Sequence, residues 1–256
     1  TYDLEVTPDY QEEGATSVDA STISLTQRST DNVNTWVTTT DALDAVGAAD
    51  DPLSVIGDEV GSTITETDYI AEEDVLISEI DASGLEGALE TYGADDATDT
   101  EAFTAAIENG AIDLNFTQEN PTRNRAPVAI NYNDVTDAQT TVVADEDTDT
   151  YYVALVLSDF TDTDALGTER AVEDGMNFES EFKVNPAVDD IDDLETFRFG
   201  LVAPNADGEF EAETATDNWE AVTREAEVTL EGDELIVSPA EGQTINGTTT
   251  VAPGTE

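Results

Sequence analysis

The sequence predicts a mainly β fold, organised as tandem β-sandwich modules with one short helix. The first observation is the apolar run TYYVALVLSDF at residues 150–160, whose length and composition suit a strand buried on both faces. A second β-prone run, TTVVA at residues 140–144, precedes it across a short acidic loop, as in an antiparallel hairpin. Many other short segments are separated by turn residues, which favours sandwiches over an α/β enzyme.

The N-terminal residues predict strands that close a sandwich. Apolar and polar side chains alternate at residues 2–6, at residues 23–25 and around Trp36, which is typical of half-buried strands. We assign these strands to a first module at residues 1–40 and expect its earlier strands to precede residue 1. This expectation treats the sequence as a piece cut from a longer protein.

A second, β-rich module is predicted at residues 41–124. Its first twenty residues are interrupted by glycine and proline, which predicts short turns or a helical turn. The run DVLISEI at residues 74–80 predicts a strong strand, and a turn or short helix follows it at residues 84–89. A further alternating strand is predicted at residues 111–116.

The one predicted helix of this module lies at residues 99–109. Thr98 and Glu101 have the spacing of a capping box, in which each side chain accepts a backbone N–H of the other residue. Asn109 followed by glycine predicts a left-handed end. The apolar side chains that share one face of this helix are Phe103, Ala106 and Ile107.

The rest of the chain divides into a predicted β-sandwich at residues 125–238 and a C-terminal segment at residues 239–256. The sandwich contains the central hairpin and an alternating strand at residues 177–184. The stretch PTRNRAP at residues 121–127 precedes it as a linker or domain edge. The C-terminal segment is rich in glycine and threonine, and it predicts a linker and the first strand of a following module.

The charge of the chain is extreme, because 61 acidic residues stand against seven basic ones and give a formal net charge of −54. The acids are spread along the chain and 38% of the residues are hydrophobic, so we predict a folded protein with a carboxylate-covered surface. Molar salt shortens the Debye length to about 3 Å and screens the repulsion, so the composition indicates an extreme halophile. Nucleic acids and anionic membranes, which need basic patches, are excluded as partners.

The absence of cysteine and histidine narrows the chemistry further. It excludes disulfides, Cys/His zinc sites, cysteine–histidine nucleophiles and Ser-His-Asp triads. The sequence has no glycine-rich phosphate loop and no G-x-S-x-G motif. No apolar run approaches the roughly 18 residues of a membrane span, so we predict no direct membrane insertion. Paired carboxylates, as in glycosidases, are the remaining enzyme chemistry, and the sequence gives no basis for choosing a pair.

Three stretches of the sequence resemble one known family. They are GQTINGTTTVAPGTE at residues 242–256, STISLTQRSTDNVNTW at residues 21–36 and ISEIDASGLEGALE at residues 77–90. All three are similar to haloarchaeal surface glycoproteins, which are S-layer-like proteins with immunoglobulin-like repeat domains. The resemblance implies a secreted, glycosylated, membrane-anchored protein, and it implies that the sandwich modules are immunoglobulin-like.

Two N-glycosylation sequons are present, NFT beginning at Asn115 and NGT beginning at Asn246. Asn115 alternates with Leu114 and Phe116, so we expect it to face outward from its strand. Asn246 lies in a polar, loop-like stretch. We therefore predict both asparagines as glycosylation sites, although a threonine-rich chain also produces such triplets by chance.

Two groups of aspartates are candidate Ca²⁺ sites, since Ca²⁺ takes about six to eight oxygen ligands. The first group has the D-x-D-x-D start of a calcium loop, but it lacks the glycine and glutamate that complete such a loop. The alternative is a solvated acidic surface, because clusters arise by chance among 61 acids. No cofactor other than Ca²⁺ is expected. The two groups are Asp145, Asp147 and Asp149, and Asp189, Asp190, Asp192 and Asp193.

Together these observations predict a structural, non-enzymatic protein located outside the cell, at its surface. It would be a building block of a haloarchaeal surface layer or extracellular filament. Its partners would be other copies of itself or neighbouring surface-protein modules, in contact through sandwich faces, strand edges or cation bridges. Two alternatives stay open: an adhesin that binds a partner cell or glycan, and a carboxylate-based hydrolase with two close acids in an aromatic-lined cleft.

Overall fold

The computed structural model describes residues 2–6, 19–23, 27–135, 140–163, 169–186, 202, 211–228 and 247–255. Strands dominate these ranges, which confirms the predicted mainly β fold. The α-helices are α1 (Thr40–Gly47), α2 (Pro52–Glu59), α3 (Glu86–Tyr92) and α4 (Asp99–Glu108). The strands are β1 (Tyr2–Val6), β2 (Asp19–Ile23), β3 (Thr30–Thr38), β4 (Thr65–Glu66), β5 (Tyr69–Ala71), β6 (Val75–Ala82), β7 (Ile112–Gln118), β8 (Ala129–Asn131), β9 (Thr140–Asp145), β10 (Thr150–Val156), β11 (Thr161–Thr163), β12 (Glu169–Ala171), β13 (Asn177–Val184), β14 (Glu213–Val222), β15 (Ala226–Val228) and β16 (Gly247–Thr249).

Two five-stranded sheets form the body of the described structure. Sheet A has the strand order β4-β3-β6-β10-β9, and sheet B has the order β5-β14-β13-β7-β8. Neighbouring strands of both sheets are antiparallel, apart from the parallel pair β5 and β14. Apolar side chains of the two sheets belong to one core, as in a β-sandwich. The immunoglobulin-like character of this sandwich stays a prediction.

Strand β10 contributes to two hydrophobic clusters, one on each of its faces. Tyr151 and Val153 are buried in the core between the sheets. Ala154, on the opposite face, is buried in a second cluster with Val46 of α1 and Ile56 of α2. The strand is therefore covered on both faces, which explains its continuous apolar run and confirms the prediction made from it.

The predicted hairpin around β10 is also confirmed. Thr150 of β10 pairs with Asp145 of β9, and residues 146–149 connect the two strands. The connection ends at Asp149, whose φ of 58° lies in the left-handed region that aspartate tolerates better than most residues. On its other side β10 pairs with β6, so the hairpin is tied into sheet A.

The part of the core that lies next to sheet B consists largely of aromatic side chains. The rings of Phe178 and Trp219 stack with centroids 4.7 Å apart, and Phe160 lies 5.0 Å from Phe116. The indole N–H of Trp219 donates to the hydroxyl of Ser180 at 3.0 Å, so the polar group of this buried ring is satisfied. Trp219 is therefore a packing residue of the sandwich.

Helix α4 is the helix that the sequence predicted. The Thr98 hydroxyl accepts the N–H of Glu101 at 3.3 Å, and the Glu101 carboxylate accepts the N–H of Thr98 at 2.8 Å, which completes the capping box. Phe103, Ala106 and Ile107 are buried in the core, as expected from their spacing. With ten residues, α4 is the longest α-helix in the described ranges.

The described ranges hold three α-helices besides α4, and α3 lies where the sequence predicted a turn or short helix. Two of them, α1 and α2, occupy the stretch in which glycine and proline were expected to break the chain. The Thr39 hydroxyl accepts the N–H of Ala42 at the start of α1, and the Asp51 carboxylate accepts the N–H of Ser54 in α2. Pro52 stands in the first turn of α2, where its missing N–H leaves no helical hydrogen bond unmade. Local capping therefore outweighs the breaker residues.

Both ends of the described chain pair internally. β1 pairs with β2, β16 pairs with β15, and a third two-stranded ribbon joins β11 and β12. Sheet A contains β3 from the predicted module at residues 1–40, and both large sheets take strands from the predicted module at residues 41–124 and from the predicted sandwich at residues 125–238. The division of the chain into modules stays a prediction.

Val153→Ala should lower the free energy of unfolding by roughly 2–3 kcal/mol, since it removes fully buried methyl groups and leaves a cavity between the sheets. The measurement is urea unfolding at molar KCl, followed by circular dichroism. Val228→Ala is the matched control because Val228 is 43% exposed, and it should change the unfolding free energy by less than about 0.5 kcal/mol. Equal effects of the two substitutions would contradict the position of β10 in the core.

Candidate functional site

Asn115, the first predicted glycosylation site, lies on β7. Leu114 and Phe116 on either side of it are buried, while Asn115 is half-buried on the opposite face of the strand. Its partners in the neighbouring strands are Glu181 of β13 and Asn131 of β8. The sequon therefore faces away from the core, as the alternation indicated, and its modification stays a prediction.

The loop between β9 and β10 carries the first predicted aspartate group. The Asp145 carboxylate accepts the backbone N–H of Asp147 at 3.0 Å, which closes a turn inside the loop. Asp149 interacts with Glu86 at the start of α3. Within the described ranges, no three acidic side chains lie close enough together to hold a metal ion. Calcium binding at this loop stays a prediction.

The remaining predicted sites lie outside the described residues. They are the second glycosylation site, Asn246, and the second aspartate group, Asp189, Asp190, Asp192 and Asp193. Glycosylation and calcium binding at these five positions therefore stay predictions.

A cleft of about 660 Å³ opens between α3, α4 and the β9–β10 hairpin, and we call it the acidic cleft. Buried Leu89 and Tyr151 lie at its base. No basic side chain of the described residues lines it. Its carboxylates are those of Glu86, Glu90, Asp95, Asp96, Asp99 and Glu146. Sequence reasoning missed the cleft because these acids come from separate segments whose spacing does not link them.

The acidic cleft favours the protonated forms of two groups. Partial burial raises the pKa of Glu86, and its interactions with Asp149 and Glu146 raise it further. Burial also raises the pKa of the Tyr151 hydroxyl, and the charges of Glu86, Asp149 and Glu146 act in the same direction. Tyr151 therefore keeps its proton at neutral pH. Its hydroxyl is buried without a hydrogen-bond partner in the described structure.

Asp74 connects the C-terminal segment to the sandwich. The residue is 1% exposed, and its Oδ2 accepts the backbone N–H of Ala252 at 2.7 Å. Nη2 of Arg224 lies 4.0 Å from Oδ1 of Asp74, while Nη1 of Arg224 contacts the Glu73 carboxylate at 2.6 Å. Burial raises the pKa of Asp74, and the bond from Ala252 and the charge of Arg224 oppose that rise. Asp74 therefore connects the segment around Ala252 to the sandwich, although the two residues are 178 positions apart in the sequence.

The arginines of the described ranges fall into two classes. Three arginines form ion pairs within the fold. Arg123 and Arg125, in contrast, are exposed in the connection between β7 and β8 and form no ion pair with a described residue. The three internal pairs are Arg28 with Glu213, Arg170 with Asp162, and Arg224 with Glu73.

The fold and these surfaces define an acidic β-sandwich module with a sequon on one sheet face and a carboxylate-lined cleft beside a hairpin. The described helices include none that is long and apolar enough to cross a membrane.

The chain is similar along its whole length to three surface proteins of haloarchaea. It is 33% identical over 260 residues to a protein named "Cell surface glycoprotein" from Haloferax gibbonsii, of which it covers 25%. It is 30% identical to "Cell surface glycoprotein 2" and to "Cell surface glycoprotein 1" of Haloarcula hispanica, of which it covers 26% and 27%. The chain therefore spans about a quarter of the length of these relatives. No family model matches the sequence.

This similarity confirms the resemblance to haloarchaeal surface glycoproteins that three short stretches had indicated. It also confirms the predicted location outside the cell, at the cell surface. The names of the relatives agree with a structural surface protein that is not an enzyme, so the carboxylate hydrolase is set aside.

Asp74→Ala should lower the free energy of unfolding by about 1–3 kcal/mol, because the buried N–H of Ala252 loses its acceptor. Asp74→Asn keeps an acceptor oxygen and should cost less. Urea unfolding measures both changes, and limited proteolysis of residues 247–255 reports whether the C-terminal segment has detached. A detached segment in the Asn variant alone would contradict this role of Asp74.

The same pair of residues predicts a pH effect. Because the pKa of Asp74 is raised in the folded state, its ionisation destabilises the fold as the pH rises from the ordinary aspartate range through that raised pKa. The Asp74→Asn variant lacks this ionisation. Its melting temperature relative to the parent chain should therefore increase from acid to neutral pH, at constant molar KCl. A difference that does not change with pH would contradict the raised pKa.

If Asn115 is glycosylated, the peptide that contains it should show an increased mass in protein isolated from a haloarchaeal host. Thr117→Ala should abolish the modification because the sequon needs the hydroxyl, and Thr117→Ser should retain it. Thr117 is exposed on β7, so neither substitution opens the core. Mass spectrometry of the digested protein measures all three forms. An unmodified Asn115 in the parent chain would refute the site.

Proposed function

We propose that this chain is a structural module of a haloarchaeal surface layer, in which neighbouring modules associate side by side outside the cell. The observation that carries the proposal is the similarity along the entire chain to a quarter of three proteins named as cell surface glycoproteins. In this role the module needs a stable fold and surfaces that contact adjacent modules, and it needs no catalytic site.

The packing of the described chain supports a load-bearing role. Sheet A has apolar clusters on both faces, one shared with sheet B and one shared with α1 and α2. Arg28 contacts Glu213 at 2.8 Å, and this pair links the start of β3 in sheet A with the start of β14 in sheet B. Asp74 ties residues 250–255 to the same body through Ala252. A fold closed by such long-range contacts resists local opening.

An extracellular filament is the alternative form of the same structural role, and an adhesin is the alternative from another class. One observation favours the adhesin. Tyr69 is 56% exposed beside a shallow groove that Asn177, Asn218 and Glu119 line, and an exposed aromatic ring with amide groups suits contact with a sugar. Loss of cell or glycan binding in a Tyr69→Ala variant would support the adhesin.

Electron microscopy of native cell envelopes tests the surface-layer proposal. Gold-labelled antibodies against this chain should mark a regular two-dimensional lattice that covers the cell. Labelled fibres that extend from the cell would favour the filament. Label at scattered points without a lattice or fibre would overturn both structural forms.

The charge predicts a strong salt dependence of stability. Self-repulsion among 61 acids is screened over about 8 Å at 0.15 M salt and over about 3 Å at 1 M salt. The melting temperature should therefore rise steeply with KCl at neutral pH, as measured by circular dichroism. If an aspartate group binds Ca²⁺, millimolar Ca²⁺ should replace part of the KCl requirement. A melting temperature that is flat across the KCl series would refute the halophilic interpretation.

A further inference from the structure

The acidic cleft contains a feature that its carboxylates alone do not explain. Tyr151 lines the base of the cleft and is 2% exposed, and its buried hydroxyl has no hydrogen-bond partner among the described residues. Buried hydroxyl groups in folded proteins nearly always have a partner. The Tyr151 hydroxyl therefore keeps unused hydrogen-bonding capacity beside the cleft.

The surroundings of Tyr151 define the chemistry of that group. The charges that act on its hydroxyl come from Glu86, Asp149, Glu146 and Asp99, all of which are acidic. Arg28 also lies near, but its guanidinium is engaged by Glu213 and by the backbone oxygens of residues 29 and 83. The tyrosine oxygen and the carboxylates around it are acceptors, so they favour a cation, and a cation with several N–H donors can bond to more than one of them.

The size of the acidic cleft favours an organic cation over a bare metal ion. Its volume is about 660 Å³, and no three acidic side chains of the described residues converge on one point. A guanidinium group carries five N–H donors in a planar fork and contacts several carboxylates at once. Arginine side chains therefore match the cleft better than a single ion does.

This chain presents such side chains in the arginine loop, which we define as residues 119–128. Arg123 and Arg125 are exposed there, and the N–H of Arg125 donates to the carbonyl of Thr122 at 2.9 Å to form a tight turn. Neither arginine forms an ion pair with a described residue. The positive charges of both arginines are therefore free of ion pairs with the described residues and exposed to acidic groups of another molecule.

The base of the arginine loop is held firmly. The backbone N–H of Gln118 donates to the carbonyl of Val128 at 2.8 Å, and the N–H of Val128 donates to the Gln118 side chain at 3.1 Å. Arg170 donates to the carbonyls of residues 126 and 127 at 2.8 and 3.0 Å. The loop therefore presents its two free arginines from a fixed platform, which lowers the entropy cost of binding.

We propose that the acidic cleft of one molecule binds the arginine loop of a neighbouring molecule. The contact joins two different surfaces, so each molecule offers one loop and one cleft and the association continues into rings or extended arrays. Direct guanidinium–carboxylate contacts inside a cleft are screened less than exposed charges, so the contact persists in molar salt. The inference rests on the proposed surface-layer function and specifies the contact between its modules.

Sedimentation equilibrium of the purified chain in molar KCl tests the contact. The parent chain should self-associate. A loop variant, Arg123→Gln with Arg125→Gln, and a cleft variant, Glu86→Gln with Glu146→Gln, should each raise the dissociation constant at least about tenfold.

The cleft variant lowers the net negative charge, so a general relief of repulsion would strengthen association instead. Lys183→Gln is the control for lost positive charge, since Lys183 also forms no ion pair with a described residue, and it should have no such effect.

Mixing the two variants gives the decisive result. The cleft variant retains its arginine loop and the loop variant retains its acidic cleft, so an equimolar mixture should form a one-to-one complex that does not grow further. Tyr151→Phe keeps the buried ring but lacks the hydroxyl, and it should weaken association while the circular dichroism spectrum stays unchanged. Failure of the mixture to form a complex would overturn the contact.

Two further results would overturn the contact between loop and cleft. The first is a pair of observations: calorimetry shows that CaCl₂ binds to the parent chain but not to the cleft variant, and the loop variant associates like the parent chain. The cleft would then hold a divalent cation and not an arginine loop. The second is a parent chain that stays monomeric in molar KCl. The surface-layer function is tested separately, because the lattice in native envelopes is seen whether or not this loop and cleft form it.

Discussion

Burial of apolar side chains between sheets A and B supplies the free energy that stabilises the fold against electrostatic repulsion among its carboxylates. Seven basic residues cannot neutralise 61 acidic ones, and exposed ion pairs typically contribute only about 0–1 kcal/mol each. The buried surfaces are apolar, so their stabilisation does not depend on pairing charges. Carboxylates are tolerated at the surface because strands such as β10 are covered on both faces.

Two of the described cations form ion pairs between segments that lie far apart in the sequence. Arg28 and Glu213 are 185 residues apart in the sequence, and Arg224 and Glu73 are 151 residues apart. Each pair joins segments that local structure does not hold together. The partly buried pair at Arg28 also takes hydrogen bonds to neighbouring backbone oxygens, which gives it more weight than a freely exposed pair. The two arginines that form no ion pair with a described residue stand on a single exposed loop.

The helices have a double role in this sandwich. Helices α1 and α2 cover the outer face of sheet A, whereas α3 and α4 stand beside the β9–β10 hairpin and form the walls of the acidic cleft. Phe103 of α4 packs into the core with Tyr132 and Phe182, so the cleft wall is anchored by the same burial that stabilises the sheets. A surface built on such supported elements keeps its shape when a partner binds.

The sequence by itself determined the β class, the buried central hairpin, the capped helix α4, the outward side of Asn115 and the acid-covered surface. These features follow from composition, alternation and capping, which are encoded in neighbouring residues. The tertiary structure decided the order of the strands, the bond between Asp74 and Ala252 across 178 residues, and the meeting of α3, α4 and the hairpin around Tyr151. Those features depend on which distant segments become neighbours, and a periodic pattern of apolar residues carries no information about that choice.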